Sequence, residues 1–553
     1  MKSFFLAAAS AAAVLSISGA ALAGEIDPVK IGQHVQVLAS DDFQGRGPAT
    51  EGELKSVAYI EAQYKALGLQ PGGDLQKDGT RAWTQDVPLA KFEIKGPVAV
   101  SVKAGKDTLN WTQGDEVALR APSTGADHVS IKDAPIVFAG YGVEAPERKW
   151  DDFKGMDLKG KVVMVLVNDP DYYAGKGDFG GKAMTYYGRW TYKYEEAARK
   201  GALGLLVIHE TAPASYGWAT VKNSNTNSIF DIIRDDPSKV HPLLEGWIQH
   251  DAAADILKRA GLDYEALKKQ AQTRAFKPVV LKGVTFSTDY AVDVEKIVSK
   301  NVVGEIVGAK RPDERVIYSA HWDHLGVGLP DAKGDTIYNG AVDNADGVAT
   351  MMEIARAFTT EDKKPDRTVM FLAVTAEEKG LLGSEYYAAN PLYPLATTVA
   401  DINMDALSAS GPAKDFSTSG NAQLTLQDDL IAVGKEHGRY YSPDPRPEAG
   451  SFFRSDHFSF AKRGVPAISF DSGEDLVNGG REAGEAKSKE YVTNRYHQPA
   501  DQFDDTWNLE GMAQDGDLMF ELGDKLANSD EWPVWKDGSE FKAERDKTAD
   551  QRN

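Results

Sequence analysis

Five short motifs in the second half of this chain carry side chains that bind divalent metal ions. The motifs are His-Trp-Asp-His at 321–324, Asp-Asn-Ala-Asp-Gly at 343–347, Glu-Glu-Lys-Gly at 377–380, Asn-Met-Asp at 403–405 and Tyr-His-Gln-Pro-Ala-Asp at 496–501. The candidate ligands in them are three carboxylates and two imidazoles, from His321, Asp343, Glu378, Asp405 and His497. Two zinc ions that share one carboxylate need such a set. The sequence therefore predicts a hydrolase that attacks a peptide bond with metal-activated water.

The charges of these groups also favour a pair of ions. Two zinc ions bring about four positive charges, of which the three carboxylates offset three and a bridging hydroxide the fourth. Without metal, three carboxylates in one pocket would repel one another, which is costly unless a proton or a cation binds. A pair of zinc ions removes that cost.

Two acidic residues beside the proposed ligands suit catalytic tasks. Glu377 is a candidate general base, because zinc lowers the pKa of a bound water to about 7 and a carboxylate can then take its proton and pass it to the leaving amine. Asp323 is expected to accept a hydrogen bond from the His321 imidazole or a nearby group, which would fix the tautomer. The alternative for Asp323 is a surface carboxylate in a loop. His324 competes as a ligand by its residue type.

Two further segments are candidates for contact with a substrate. Tyr496 precedes His497, and it either donates a hydrogen bond to the oxyanion of the tetrahedral intermediate or packs against the imidazole. The segment Arg454-Ser455-Asp456-His457 either lines the substrate pocket or forms a salt-bridged loop. The sequence leaves both choices open.

The elements that must position these residues alternate between strands and helices. Strands are predicted at 316–320, 368–374, 399–404 and 466–470, and helices at 347–358, 381–389 and 509–526. This alternation is typical of an α/β fold with a layered, mixed but mostly parallel central sheet and helices on both faces. His321, Glu378 and Asp405 follow three of the strands, and ligands of open α/β sheets gather at the carboxyl ends of strands. We therefore expect the three side chains to converge.

The whole chain is predicted to divide into five regions. Their boundaries are 1–23 for a signal peptide, 24–125 for the N-terminal part of the catalytic domain, 126–280 for an insert, 281–530 for the main catalytic domain and 531–553 for a C-terminal tail. The second region is predicted to form amphipathic helices up to Gly68 and then short alternating strands.

The insert resembles a protease-associated (PA) domain, a small β-rich domain of several peptidase families. Its predicted strands at 135–143, 160–167 and 203–208 surround a predicted helix at 190–200. Eight aromatic residues between 172 and 194 either pack this insert or shape a cleft against the catalytic domain. The sequence does not show what the insert does.

The N-terminus and the composition indicate an exported protein. Lys2 precedes an apolar run, and Ala21-Leu22-Ala23 is the small-x-small pattern that signal peptidase cleaves. The absence of cysteine excludes a disulfide framework and thiolate zinc sites. A net charge of -21 argues against binding to nucleic acid. We expect a periplasmic or secreted protein, from a Gram-negative bacterium, without membrane attachment after cleavage.

Five motifs in this order resemble the M28 family of zinc peptidases. The matching segments are His321-Trp-Asp323, Asp343, Glu377-Glu378, Asn403-Met-Asp405 and Tyr496-His497. The resemblance implies a zinc-exopeptidase-like fold, two Zn²⁺ ions per chain and a peptide substrate. It further implies that Asp343 bridges the ions, that His321 and Asp405 complete one zinc site, and that Glu378 and His497 complete the other. An aminopeptidase is the expected activity.

Several alternatives stay open at this stage. A carboxypeptidase of the glutamate-releasing type would need a basic pocket, which the sequence does not locate. A glutaminyl-cyclase-like enzyme would use one zinc, and a receptor-like binding protein would be expected to lack some ligands. Cobalt or manganese could replace zinc, because nitrogen and oxygen ligands accept several divalent ions. The oligomeric state is not predicted.

Overall fold

The computed structural model describes residues 25–226, 228–328, 330–420 and 423–552. The predicted signal peptide at 1–23 lies outside the described residues. Across the four described ranges, no helix has the length and apolar composition that a bilayer span requires.

The catalytic domain is built on a mostly parallel sheet. Strands Arg311–His321, Arg367–Val374, Thr398–Met404 and Ala467–Ser472 lie side by side in the order 367–374, 311–321, 398–404, 467–472, and all three pairs are parallel. Strand Arg367–Val374 is buried along its whole length, as expected of a central strand covered on both faces. This confirms the predicted mixed, mostly parallel α/β architecture.

Helices cover both faces of this sheet. Neighbouring residues of a strand point to opposite faces. Met370 contacts the Tyr387 hydroxyl through its sulfur at 3.5 Å, whereas the adjacent Phe371 ring lies 6.3 Å from the Phe358 ring. The helices of this part are Pro28–Leu38, Glu51–Ala66, Asp346–Thr360, Leu382–Ala389, Thr425–Glu436, His457–Ala461, Gly480–Asn494, Glu510–Asn528 and Lys542–Asp546.

One long strand carries the sheet from the catalytic domain into the insert. Val279–Ile306 pairs along one edge with Thr84–Ala104. Along its other edge it pairs with His128–Phe138 near its start and with Arg367–Val374 at its end, and all three pairings are antiparallel. The predicted boundary at 280–281 falls inside this strand. The remaining strands are Gln70–Pro71, Asp107–Trp111, Val117–Leu119, Glu144–Ala145, Trp150–Asp151, Val162–Leu166, Gly204–His209, Ile229–Ile232, Leu244–Gln249, Gly326–Val327, Ile337–Tyr338, Asp415–Thr418 and Tyr440–Tyr441.

The insert combines parallel strands with helices. Strands His128–Phe138, Val162–Leu166, Gly204–His209 and Leu244–Gln249 are parallel neighbours in this order. Its helices are Trp190–Arg199, Thr211–Ala214, Trp218–Asn225, His250–Arg259 and Tyr264–Ala271. The insert therefore has more helix than the β-rich region expected from the sequence.

The segment expected as a C-terminal tail packs against the catalytic domain. The side chains of Trp535 and Phe541 are buried in its core. Arg545 donates hydrogen bonds to the main-chain oxygens of Leu395 at 3.2 Å and Thr398 at 2.9 Å. These contacts hold the start of strand Thr398–Met404.

A network of ion pairs joins the insert to the catalytic domain. Arg463 binds the Glu385 carboxylate through both terminal nitrogens, at 2.9 and 3.0 Å, and Arg234 of the insert lies 3.6 Å from the same carboxylate. Lys462 pairs with Glu195 of the insert. Burial raises the pKa of the Glu385 carboxyl, but Lys462 and Arg463 outweigh it and lower the pKa to about 2.

Replacing Glu385 by alanine should lower the free energy of unfolding by about 1–3 kcal/mol, because the partly buried Arg463 loses its carboxylate partner, whereas Lys462 and Arg234 keep Glu195 and Asp231. The carboxylate's contribution is present above its ordinary pKa of 4.5 and is lost as the pH falls toward 2, so the deficit should shrink in that interval. Urea unfolding followed by tryptophan fluorescence measures it. Glu61→Ala, which removes a surface pair with Lys65, is the matched control and should cost under about 1 kcal/mol. Equal effects of the two changes would contradict the role of the network.

Candidate metal centre

Three adjacent parallel strands deliver the first side chains to one edge of the sheet. His321 is the last residue of strand Arg311–His321, and the register places it beside Val374 at the end of the neighbouring strand. Glu378 follows Val374 after a short turn, and Asp405 directly follows the third strand. The imidazole Nε2 of His321 lies 3.2 Å from Oδ1 of Asp405.

Asp343 lies between two groups of predicted ligands. It belongs to the turn Ala341–Ala345 that leads into the helix beginning at 346. Its Oδ1 lies 3.3 Å from Nε2 of His321, and its Oδ2 lies 3.1 Å from Nε2 of His497. His497 Nε2 is also 3.1 Å from Oε2 of Glu378. The structure thus brings all five predicted ligands together around one carboxylate.

The separations fit the coordination of two metal ions. Ligand atoms about 2.0–2.2 Å from a tetrahedral zinc lie roughly 3.3–3.6 Å apart, close to the distances of 3.1–3.3 Å found here. Two sets have ligand atoms that all lie within 4.8 Å of one another: His321 with Asp343 and Asp405, and His324 with Asp343 and Glu378. Asp343 belongs to both sets, as a bridging ligand must.

The imidazole of the second set is that of His324, not that of the predicted ligand His497. Its Nδ1 lies 2.7 Å from Oε1 of Glu378, yet the geometry is not that of a hydrogen bond, and both atoms are buried without another partner. The rings of His324 and His497 lie 5.6 Å apart. A cation between these atoms would satisfy them.

The pKa values of the candidate ligands depend on their mutual charges. Burial disfavours the charged imidazole of His497, but the carboxylates of Glu378 and Asp343 raise its pKa to about 10. Burial and Asp343 raise the pKa of Glu378, whereas His497 and His324 together outweigh them and the pKa falls to about 2. Without a metal, protons on the imidazoles therefore balance the carboxylates.

Glu377 is partly buried beside the candidate ligands. Burial raises the pKa of Glu377 well above its usual value; the charge of His321 opposes this rise, and the charges of Asp405 and Glu378 add to it. Its Oε2 is 4.0 Å from Nε2 of His321, and its backbone N–H donates to Oδ1 of Asp323 at 3.0 Å. The Glu377 side chain thus lines the same cavity as Asp343, Glu378 and Asp405, beyond hydrogen-bond distance from His321.

Asp323 and Tyr496 make contacts that refine the sequence expectations. The Nδ1 atom of His321 is 3.1 Å from the main-chain oxygen of Asp323 and 3.7 Å from its carboxylate. The main-chain oxygen is the nearer acceptor for the imidazole, and the carboxylate anchors the Glu377 backbone instead. The Tyr496 ring stacks on His497 at 3.9 Å. This contact fits the packing role considered for Tyr496.

The backbone is held in unfavourable conformations next to the candidate ligands. Ala376, Ala406 and His497 have φ angles of 52°, 56° and 56°, in the left-handed region that side chains with a Cβ seldom adopt. Each such residue costs on the order of 1–3 kcal/mol, and such strain clusters at functional sites. The surrounding packing therefore has to supply the free energy that keeps the backbone strained beside Glu377 and Asp405 and at His497.

Two buried residues that the sequence analysis did not single out hold the centre in place. Asp501 accepts hydrogen bonds from the backbone N–H groups of Val342 and Asp343, both at 3.1 Å. Arg46 donates to the main-chain oxygens of Trp322 at 2.8 Å and Gly340 at 2.7 Å. Asp501 could have been recognised from the sequence, because it is the last residue of the Tyr-His-Gln-Pro-Ala-Asp motif. No local sequence pattern marks Arg46.

A large cavity opens in front of the centre. Its volume is about 1180 Å³, and its wall combines Asp343, Glu377 and Asp405 with residues of the insert such as Trp190 and Tyr194. The insert therefore forms part of the wall that faces the candidate ligands.

The cavity bears on two choices that the sequence left open: the role of the aromatic residues between 172 and 194, and the role of the segment 454–457. Tyr186 of the insert contacts Phe458 of the catalytic domain at 5.0 Å, so part of the aromatic cluster shapes the cleft. Tyr187 instead packs on Tyr192 within the insert. Arg454 lines the cavity rather than joining an ion pair among the described residues.

Part of this chain is similar to known proteins. The sequence profile of peptidase family M28 matches residues 301–522. A probable zinc metalloprotease of Pyricularia oryzae is 36% identical over 111 residues, which are 20% of this chain and 20% of that protein. The aminopeptidase NAALADL1 of Mus musculus is 34% identical over 155 residues, covering 24% of this chain and 19% of that protein.

A third relative carries a different activity in its name. The probable glutamate carboxypeptidase LAMP1 of Arabidopsis thaliana is 35% identical over 151 residues, which are 26% of this chain and 20% of that protein. The matches therefore span about a fifth of the length of these relatives.

Proposed function

Because residues 301–522 match the sequence profile of peptidase family M28, we propose that this protein is an exported dizinc exopeptidase, and specifically an aminopeptidase. The observation that carries the proposal is the position of Asp343. Its two carboxylate oxygens each lie beside a different histidine, at 3.3 Å from His321 and 3.1 Å from His497. A carboxylate in that position can bridge two ions.

The residues present fit two zinc ions. His321 and Asp405 would complete one site, Glu378 and His497 the other, and Asp343 would be shared. Relatives named zinc metalloproteases support zinc as the metal. When bound, the zinc pair would polarise the scissile carbonyl and lower the pKa of a water to about 7.

The chain's own residues would carry out the proton transfers. Glu377 would take the proton of the attacking water and deliver it to the leaving amine. Asp323 would hold the Glu377 backbone through the 3.0 Å hydrogen bond, and so keep the carboxylate aimed at the centre. Tyr496, whose pKa is raised by burial and by Asp343, would stay protonated and could also donate to the oxyanion.

The remaining features of the proposal come from the sequence. Residues 1–23 support export to the periplasm or the medium. The insert at 126–280 is proposed as a PA-like domain whose role is to form one wall of the substrate cavity. The substrate is a peptide.

A second candidate function is a carboxypeptidase of the glutamate-releasing type. Two observations favour keeping it: the relative named a glutamate carboxypeptidase, and arginines of the cavity wall such as Arg189 and Arg454. A receptor-like protein without activity is disfavoured because all five candidate ligands are present.

Paired assays separate these functions. An aminopeptidase should release nitroaniline from aminoacyl nitroanilides and should not process peptides with a blocked amino terminus. A carboxypeptidase should cleave blocked peptides with a free carboxyl terminus. A chelator should abolish either activity and added zinc should restore it. No zinc-dependent hydrolysis of any peptide by the mature chain would contradict the proposed function.

A further inference from the structure

One carboxylate of the cavity wall lies beside the candidate metal centre without belonging to it. Asp471 directly follows Phe470, which pairs with Met404 of the neighbouring parallel strand. The candidate ligand Asp405 directly follows Met404, so both carboxylates come from the same edge of the sheet. Both side chains line the cavity. Because neighbouring strands are about 4.8 Å apart, Asp471 lies one strand away from the centre.

The hydrogen-bond partner of Asp471 is neutral. The Ser419 hydroxyl lies 3.0 and 3.1 Å from its two carboxylate oxygens. In the part of the chain that the structure describes, no lysine, arginine or histidine lies within ion-pair distance of it. Burial raises the pKa of Asp471 to about 7; Ser419 opposes this rise, and the charges of Asp444 and Asp405 add to it. A cation beside this carboxylate would relieve the repulsion.

Other carboxylates of the same wall have a cation supplied by the protein. Five such pairs are Asp231 with Arg234 at 2.9 Å, Glu195 with Lys462 at 2.5 Å, Glu245 with Arg120 at 3.6 Å, Glu385 with Arg463 at 2.9 Å and Asp415 with Arg481 at 2.6 Å. Asp444 is similar to Asp471 instead. It accepts hydrogen bonds from the backbone N–H groups of Gly420 at 3.1 Å and Arg446 at 2.8 Å. The charge that Asp471 lacks is therefore expected to come from a ligand.

Hydroxyl groups surround Asp471 in the wall. Ser417 pairs with it across two antiparallel strands, and Ser417, Ser419 and Ser442 all line the cavity. Hydroxyl and carboxylate oxygens accept hydrogen bonds from ammonium and guanidinium groups. This part of the wall therefore suits the cationic end of a side chain.

The position of Asp471 indicates which substrate cation can reach it. The free amino group of a peptide is two bonds from the first carbonyl carbon, so in an aminopeptidase it stays at the metal centre. A lysine side chain has a four-carbon stem, which can span the distance of one strand. Asp471 is therefore placed for the end of the side chain rather than for the amino terminus.

We propose that Asp471 binds the basic side chain of the residue on the amino-terminal side of the scissile bond, so that lysine and arginine are preferred there. The proposal rests on the proposed function and specifies its substrate class. Asp444 adds negative charge to the same subsite. The Ser419 hydroxyl holds the Asp471 carboxylate in place.

Two chromogenic substrates test this preference. Lysyl nitroanilide and norleucyl nitroanilide share the α-amino group and the four-carbon stem, but norleucine lacks the ammonium group. In the parent, kcat/KM should be at least roughly tenfold higher for the lysyl substrate. Asp471→Asn should lower kcat/KM at least roughly tenfold for the lysyl substrate and change it by less than about twofold for the norleucyl substrate.

Matched variants separate recognition from a structural effect. Asp471→Glu keeps the charge and should retain part of the preference for lysine. Asp362→Asn removes an exposed carboxylate just before strand Arg367–Val374, at the edge of the sheet opposite the metal centre, and should leave both rates unchanged. Equal losses on both substrates in Asp471→Asn would show that Asp471 acts on the α-amino group or on folding. That result, or no loss on the lysyl substrate, would overturn the subsite.

A binding measurement keeps this test separate from the proposed function. Calorimetry with lysine amide and norleucine amide on the zinc-loaded Glu377→Gln protein does not depend on turnover. Adding Asp471→Asn should weaken binding of lysine amide at least roughly tenfold and of norleucine amide less than about twofold, with the same zinc content. If the parent hydrolyses no peptide but this difference appears, the peptidase proposal fails and the subsite stands. If the parent hydrolyses peptides and no such difference appears, the subsite fails alone.

Discussion

Glutamine in place of Glu377 should lower kcat by about 10²–10⁴-fold while both metal ions stay bound. The amide has nearly the shape of the carboxylate, but it cannot take a proton from the attacking water. Because Oε2 of Glu377 lies 4.0 Å from Nε2 of His321, beyond hydrogen-bond distance, its replacement should not disturb that metal ligand. The loss should appear in kcat rather than in KM.

The measurement combines steady-state kinetics with metal analysis. Turnover of a good peptide substrate gives kcat and KM, and atomic emission on the dialysed protein gives zinc per chain. Glu265→Gln, at an exposed position of the insert, is the matched control and should retain full activity. Near-normal turnover in Glu377→Gln would remove Glu377 as the base, and a parallel loss of zinc would instead make it a ligand.

The catalytic half of the fold was predictable because its signals are local. Strand Arg367–Val374 holds a central position and contains an uninterrupted apolar run of six residues from Val369 to Val374, and the helix Asp346–Thr360 carries its apolar side chains at helical spacing. The motif residues follow such strands directly. Placement of His321 and Asp405 at one edge of the sheet then follows from parallel pairing.

The elements that the sequence did not reveal depend on distant partners. Strand Val279–Ile306 was missed over most of its length because its middle is exposed and charged, around Glu295 and Lys296, and its partner lies in Thr84–Ala104. The helix Gly480–Asn494 buries only Gly484, so it has no apolar stripe to detect. Both are defined by tertiary pairing rather than by local pattern.

The candidate site shows the same division. Residue types in the motifs were sufficient to find the five candidate ligands and Glu377. They were not sufficient to find the residues that hold the centre in place. Arg46, for example, donates hydrogen bonds to main-chain oxygens such as that of Gly340, and a sequence does not show which main-chain oxygens lie near a side chain. The Nε atom of Arg189 is buried without a hydrogen-bond partner, which likewise can be seen only once its surroundings are known.

Replacing Asp343 by alanine should remove both zinc ions and lower kcat/KM at least about 10³-fold. A shared carboxylate supplies a ligand to each site, and its loss also leaves two histidines beside each other without the charge that balances them. Several kcal/mol of transition-state stabilisation disappear with the ions, which corresponds to the expected factor. Zinc per chain and kcat/KM are measured on the same preparation.

Single changes on either side of Asp343 sharpen this expectation. His321→Ala and His497→Ala should each retain about one zinc per chain, because each removes a ligand of one site only. His324→Ala is the matched control at a buried imidazole beside Glu378, and it should retain two ions if His497 is the ligand. Loss of one zinc in His324→Ala but not in His497→Ala would exchange their roles. A zinc content of one ion per chain in the fully active parent, and the same content in Asp343→Ala, would rule out the shared carboxylate. No second ion would then need the Asp343 oxygen that lies 3.1 Å from His497.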